Sequence, residues 1–247
     1  MRIEAITFDA GGTLFSPREP VGATYARLAR AAGIAADEGP LEMGFELAFG
    51  AAPPLVAPPG ASGVALLAAE RGWWGDLVRA TLGHALANGG APLAEETFAR
   101  FFAATFDHYA RPDAWTLHGD AIRCLEALRD RDLRLGVLSN FDSRLHGLID
   151  GLGLRPAFRA VLASTEIGSA KPAADAFAAA AEALGAPASA CLHVGDSLEA
   201  DALGAKRAGW CGVWLDRRGR EEKSHSVGVA RIRSLTELPA RLDLDSL

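Results

Sequence analysis

Hydrophobic and polar positions change rhythm along the chain. A short apolar run, Ile3 to Phe8, stops at Asp9 and gives way to Ala-Gly-Gly-Thr13. Apolar runs of about four to eight residues between turn signals read as buried strands. A strand ending at Asp9 is therefore expected, followed by a sharp turn through the glycines. From Val21 to about Ala110 apolar residues recur at three- and four-residue spacings. That rhythm predicts helices over Thr24–Ala32, Leu41–Gly50, Trp73–Ala87 and Glu95–Tyr109. Pro53, Pro54, Pro58 and Pro59 make Ala51–Gly63 a loop, since proline breaks a helix interior. After Pro112 short apolar runs alternate with helical stretches. Strands are expected over Leu133–Leu138, Ala160–Ala163, Cys191–Val194 and Gly212–Leu215. Helices are expected over Asp120–Asp130, Arg144–Leu152, Ala173–Leu184 and Leu198–Ala208, with a last one from near Leu235.

Strands alternating with helices imply an α/β fold, a doubly wound parallel sheet with helices on both faces. The all-helical stretch after the first strand then forms a separate inserted unit. Its borders are the proline-bearing segments Ser16–Pro20 and Ala110–Asp113, giving an α/β core over 1–15 and 113–247 and a helical domain over 16–112. A length of 247 residues suits two such units and needs no disulfide or metal to fold.

Composition narrows the function. A net charge of −6 argues against a nucleic-acid backbone as partner. No apolar run approaches the roughly 18 residues a membrane helix needs, and the acidic start of the chain is unlike a signal peptide. Three scattered cysteines suit a reducing compartment, so a cytoplasmic protein is expected. Of the 25 basic residues only Lys171, Lys206 and Lys223 are lysines.

In an open parallel sheet, ligands gather at the carboxyl ends of the strands. The residues expected there are Asp9, Ser139 with Asn140, Lys171 just before a helix, and Asp196 with Asp201 five residues on. Carboxylates crowded together need a compensating cation, and an all-oxygen set suits Mg²⁺. A lysine and a hydroxyl beside them would hold phosphoryl oxygens, and an aspartate can attack phosphorus.

Asp9-Ala-Gly-Gly-Thr13, Ser139-Asn140, Lys171-Pro172 and Gly195-Asp196-x-x-x-x-Asp201 resemble, in order, the four motifs of the haloacid dehalogenase superfamily. The helical insert is similar to that family's first-type cap. The Trp73-Trp74 pair resembles a branch typified by rhythm-regulated animal and plant homologues. The resemblance implies Asp9 as nucleophile and metal ligand, with the Gly11 carbonyl and Asp196 as further Mg²⁺ ligands. It implies that Ser139 and Lys171, with Asn140 beside them, hold the transferring group of a small phosphorylated substrate. Asp201 would support Lys171 or a metal-bound water.

One position departs from the family's phosphatases, which usually carry a second aspartate two residues after the nucleophile. That residue protonates the leaving group and then activates water. Here it is Gly11. Three functions follow: a phosphatase on substrates with good leaving groups, or one borrowing a proton carrier of the type of His84 or His108; a metal-independent 2-haloacid dehalogenase, whose halide leaves unprotonated; or a phosphoryl-binding regulatory protein with little turnover. Asp196 and Asp201 weigh against dehalogenation, because members that displace halide look less acidic there. A phosphonate-cleaving Schiff base would need a lysine in the helical insert, and none precedes Lys171.

Other residues read as structural. Trp73 and Trp74, and Phe98, Phe101, Phe102 and Phe106, are expected to pack within the helical unit. His193, inside a strand, reads as a satisfied core histidine, and Cys124, Cys191 and Cys211 as buried residues. The other histidines show no metal spacing, and Arg217–Lys223 reads as a solvated charged loop. Serine-hydrolase, P-loop and dinucleotide motifs are all missing.

Overall fold

The structure, a computed structural model, describes residues 2–86, 93–219 and 228–243. The expected helix end at Ala87 and the charged residues 220–223 lie outside them. The chain divides into two compact units. One comprises Met1–Ser16, Val56–Gly60 and Leu117–Leu247; the other comprises Pro17–Leu55 and Ala61–Thr116. The loop Val56–Gly60, which the sequence assigns to the helical stretch, thus belongs with the α/β unit.

The first unit is built on a six-stranded parallel sheet. Its strands are β1 (Ala5–Phe8), β4 (Arg134–Ser139), β5 (Ala160–Ala163), β6 (Cys191–Gly195), β7 (Cys211–Leu215) and β8 (Ala230–Ile232). Their order is β5-β4-β1-β6-β7-β8. β1 is apolar apart from Thr7 and buried along its whole length, as suits a central parallel strand. It pairs with β4 on one side and β6 on the other. The chain therefore winds outward through β4 and β5, then returns to the far side of β1 to start β6. In this architecture ligands favour the carboxyl ends of the strands at such a reversal, here β1 and β6. Helix α8 (Ala174–Leu184) buries Ala176, Phe177, Ala180 and Leu184 against residues of the sheet.

Two three-residue strands, β2 (Phe15–Pro17) and β3 (Trp115–Leu117), form a separate two-stranded sheet. The helical unit holds α1 (Val21–Ala32), α2 (Glu38–Ala51), α3 (Gly63–Ala85) and α4 (Glu95–His108). Tyr25, Ala29, Leu41, Val78, Leu82, Phe98 and Phe101 form its core. Tyr25 meets Phe101 edge-on at 5.6 Å. Trp73 packs on Trp74 at 4.9 Å, and its indole N–H donates to the Pro53 carbonyl. α3 starts ten residues earlier than the apolar rhythm suggests. Val64 and Leu67 in its first turns are exposed, so that part carries no buried stripe to read.

Candidate active site

Asp9 follows the last residue of β1, and its backbone N–H donates to the Val194 carbonyl of β6 at 2.9 Å. The residue is only 8% exposed. Lys171, at 4%, lies in the loop before α8 and reaches across to it. The Lys171 Nζ donates to Asp9 Oδ1 at 2.7 Å and to Asp201 Oδ1 at 2.6 Å. Burial alone would lower the pKa of this ammonium; Asp201 and Asp9 outweigh burial and hold it above the ordinary lysine value.

The loop carrying Lys171 is fixed by Asn140, which follows β4. The Asn140 amide donates from Nδ2 to the Lys171 carbonyl and accepts the Lys171 N–H on Oδ1, both at 2.8 Å. The sequence places Asn140 beside the transferring group. In the structure both ends of its side-chain amide bond to the backbone of Lys171, where it orients the lysine. Lys171–Pro172 is a cis peptide. Ser139, the last residue of β4, is buried at 3% exposure.

Asp196 and Asp201 come from the segment after β6. The expected helix Leu198–Ala208 is instead a π-helical turn, Leu198–Leu203, continued by the short α9 (Gly204–Arg207). Such widened turns are frequent at functional sites. Here the turn directs Asp201 back under its own start, where Oδ2 accepts the Ser197 N–H at 2.9 Å. Gly195 permits this approach: a Cβ there would lie 2.2 Å from Asp201 Oδ2. Gly12 does the same for the other acid. Its φ is +81°, and an added Cβ would sit 2.7 Å from the Asp196 carboxylate. Both glycines keep the two loops in close contact around the acids.

Asp9, Asp196 and Asp201 each bring a carboxylate oxygen within 4.8 Å of the others. Their electrostatics differ. Burial opposes ionisation of Asp201, but Lys171 and His193 hold its pKa well below the usual carboxylate range. Burial raises the pKa of Asp9, and Lys171 opposes that rise. Among the described residues no cationic side chain bonds to Asp196. Burial, then the charges of Asp9 and Asp201, push it up to about 7. The donor set is therefore an all-oxygen pair, Asp9 and Asp196, carrying more negative charge than Lys171 balances. That set fits a hard divalent cation. Asp201 fits it less well, since Lys171, His193 and the Ser197 amide already occupy its oxygens.

The shift of Asp196 sets a pH-dependent result for the metal-free protein. Folded, the group ionises near 7; unfolded, near its ordinary 3.8. Above pH 7 it is charged in both states, and the folded state bears the whole penalty, on the order of a few kcal/mol. Below about pH 4 the penalty vanishes. Asp196→Asn is expected to raise the melting temperature of metal-free protein at pH 8 and to leave it nearly unchanged at pH 4. An equal gain at both values would mean that packing, not charge, is responsible.

A family model for haloacid dehalogenase-like hydrolases matches residues 3–209. The haloacid dehalogenase-like hydrolase domain-containing protein 3 of Danio rerio is 32% identical over 239 residues, 96% of this chain and 95% of that protein. The chain belongs to the haloacid dehalogenase-like hydrolases. Two solved structures show how widely this fold is shared. The L-2-haloacid dehalogenase of Xanthobacter autotrophicus matches with a TM-score of 0.66 at 22% identity, covering 98% of each chain. The magnesium-bound HAD-hydrolase YfnB of Bacillus subtilis matches with a TM-score of 0.65 at 20% identity, covering 98% of this chain and 100% of that one. The fold thus serves proteins of both descriptions, and the choice of chemistry rests on the side chains.

Within this haloacid dehalogenase-like hydrolase, three further residues grip the site. Trp214 in β7 donates its indole N–H to the Asp196 carbonyl at 3.1 Å. Arg217, just past β7, corrects the reading of a solvated charge run. Its guanidinium donates to the carbonyls of Gly12 (3.2 Å) and Thr13 (2.8 Å) and in a fork to Asp120. It clamps the turn that follows Asp9. His193 is fully buried, as expected, but it is part of the site: it contacts Lys171 and Asp201. No described helix is long and apolar enough to cross a membrane.

Proposed function

We propose that the protein is a Mg²⁺-dependent phosphoric monoester hydrolase that acts through an aspartyl phosphate on a small phosphorylated substrate. The observation that carries this reading is the second acid, Asp196, held close to Asp9 and bonded to no cationic side chain among the described residues. A carboxylate that displaces halide from carbon has no use for a costly like-charged neighbour. A carboxylate that must approach a dianionic phosphoryl group does, if the pair holds a metal ion.

Asp9 and Asp196, with the Gly11 carbonyl, would hold Mg²⁺. When bound, the ion screens the acids and draws charge from the phosphoryl oxygens. Lys171 fixes Asp9 through Oδ1, so the carboxylate cannot swing away from its line of attack. An Asp9 oxygen bonds to phosphorus as the bond to the leaving oxygen breaks. Lys171 and Ser139 would hold the phosphoryl oxygens as charge shifts onto them. Water then attacks phosphorus, releases inorganic phosphate and restores Asp9. Asp201 and Asn140 hold Lys171 in place throughout.

Gly11 supplies no proton to the leaving oxygen. Turnover is therefore expected to depend steeply on leaving-group pKa, with aryl and acyl phosphates hydrolysed far faster than alkyl phosphates. Phosphate release from such a series, with Mg²⁺ and with a chelator, tests both points. A flat dependence would remove the role given to Gly11. Activity that survives chelation would remove the metal. Halide release from a 2-haloacid under chelation would establish the dehalogenase reading instead.

A further inference from the structure

His193 stands in the middle of β6, and Thr7 is its register partner on β1. Both are completely buried. Thr7 Oγ1 lies 2.8 Å from His193 Nδ1. At the other edge of the ring, Nε2 lies 3.1 Å from Asp201 Oδ1 and 3.3 Å from Lys171 Nζ. Phe177 packs edge-on against the imidazole at 5.6 Å, fixing the plane of the ring.

Counting protons decides the tautomer. Asp201 is ionised, and a carboxylate only accepts, so the contact between Nε2 and Oδ1 is a hydrogen bond only if Nε2 carries the proton. Burial, reinforced by Lys171, keeps the ring neutral by lowering its pKa. Nδ1 is then a bare lone pair, and the Thr7 hydroxyl donates to it. An ammonium has three protons and no lone pair. Two of those on Lys171 go to Asp9 and Asp201. With Nε2–H facing it, the third has no acceptor on the imidazole. The opposite tautomer would take that proton and turn a lone pair toward Asp201.

We infer that His193, set as its Nε2–H tautomer by the Asp201 carboxylate with Thr7 donating to Nδ1, is a positioning residue that holds Asp201 against Lys171 and keeps one Lys171 proton for an incoming anion. Only the identity of that anion, a phosphoryl group, rests on the function proposed above. The arrangement also explains why two polar residues lie opposite each other in otherwise apolar central strands. An apolar pair of similar size would fill the same space at lower desolvation cost.

The tautomer is read directly from two-bond ¹⁵N–¹H correlation spectra of the Mg²⁺-loaded protein labelled at histidine nitrogens, with His193 assigned by its loss in His193→Gln. The expected pattern is a protonated Nε2 and an unprotonated Nδ1. A protonated Nδ1 would overturn the inference whatever the activity. Affinity for inorganic phosphate in the presence of Mg²⁺ supplies the second readout. Losing a hydrogen bond to a charged group is worth roughly 10- to 100-fold. His193→Leu is expected to weaken phosphate binding by that range, and Thr7→Val to weaken it in the same direction. His193→Gln, which keeps an N–H toward Asp201, is expected to restore most of it. Equal affinity in His193→Gln and Thr7→Val would overturn the inference even if the leucine variant does not fold. If the tautomer is as stated and wild-type protein binds no phosphate, the phosphatase reading fails while the positioning of Lys171 stands.

Discussion

Asp9→Asn is expected to abolish phosphate release, by about 10⁴-fold or more, while the protein remains folded. The substitution isolates nucleophilicity. An amide has the shape of a carboxylate, and its Oδ1 still accepts a hydrogen bond from Lys171, which reaches Asp9 at 2.7 Å in the native site. The backbone bond from residue 9 to Val194 is untouched. What disappears is the charge, and with it the oxygen that bonds to phosphorus. The amide also weakens the divalent site, so turnover alone does not separate the two losses. Phosphate release measured at saturating Mg²⁺ and in a single turnover makes the separation. A variant that only binds metal less well recovers activity as Mg²⁺ rises; one without a nucleophile does not. Residual activity within about tenfold of wild type at high Mg²⁺ would overturn the covalent route and favour direct attack by water.

The part of this site that was legible in the sequence is the part placed by strand ends. Asp9, Ser139 and Asp196 each follow a short apolar run, and in a doubly wound sheet those positions meet at one rim. Lys171 stood out by its place just before a helix and by the scarcity of lysine, and Asp201 by its five-residue spacing from Asp196. The residues that hold these groups were harder to see. His193 sits within CLHVG, where a polar residue reads as an accommodated exception. Its significance appears only when β6 is paired with β1 and Thr7 falls opposite. Two polar residues in the interiors of two central strands were the available signal. Arg217 gave none, because what distinguishes it from its charged neighbours is the nearness of the Gly12 and Thr13 carbonyls, 204 and more residues away in sequence. Among the elements, β8 and the β2–β3 pair are three residues each, too short for an alternating pattern to register. The hold of Asn140 on the lysine loop was hidden for a related reason. Residue type says what an amide can bond to, and only the fold shows that the Lys171 backbone reaches it first.

Gly11→Asp is expected to raise turnover of alkyl phosphates by about 10²-fold or more and to leave aryl and acyl phosphates much less affected. The structure has room for this change: a Cβ built at Gly11 meets nothing within 4 Å. Gly12, one residue on, has no such freedom, since its Cβ would strike Asp196. The new carboxyl would stand two residues beyond Asp9, on the turn that Arg217 clamps through Gly12 and Thr13. Under the proposed mechanism it would give a proton to the departing oxygen and take one from the attacking water. The gain is selective because a proton matters most where the leaving oxygen is most basic. A plot of log kcat/KM against leaving-group pKa should therefore flatten in the variant, pivoting about its acidic end. The added charge also raises the acid load beside Asp9 and Asp196, so the variant is expected to need Mg²⁺ more strictly than the parent. A folded, Mg²⁺-binding variant with an unaltered slope would show that leaving-group protonation does not limit this enzyme. The proton would then come from elsewhere, and the departure at Gly11 would cease to explain its substrate range.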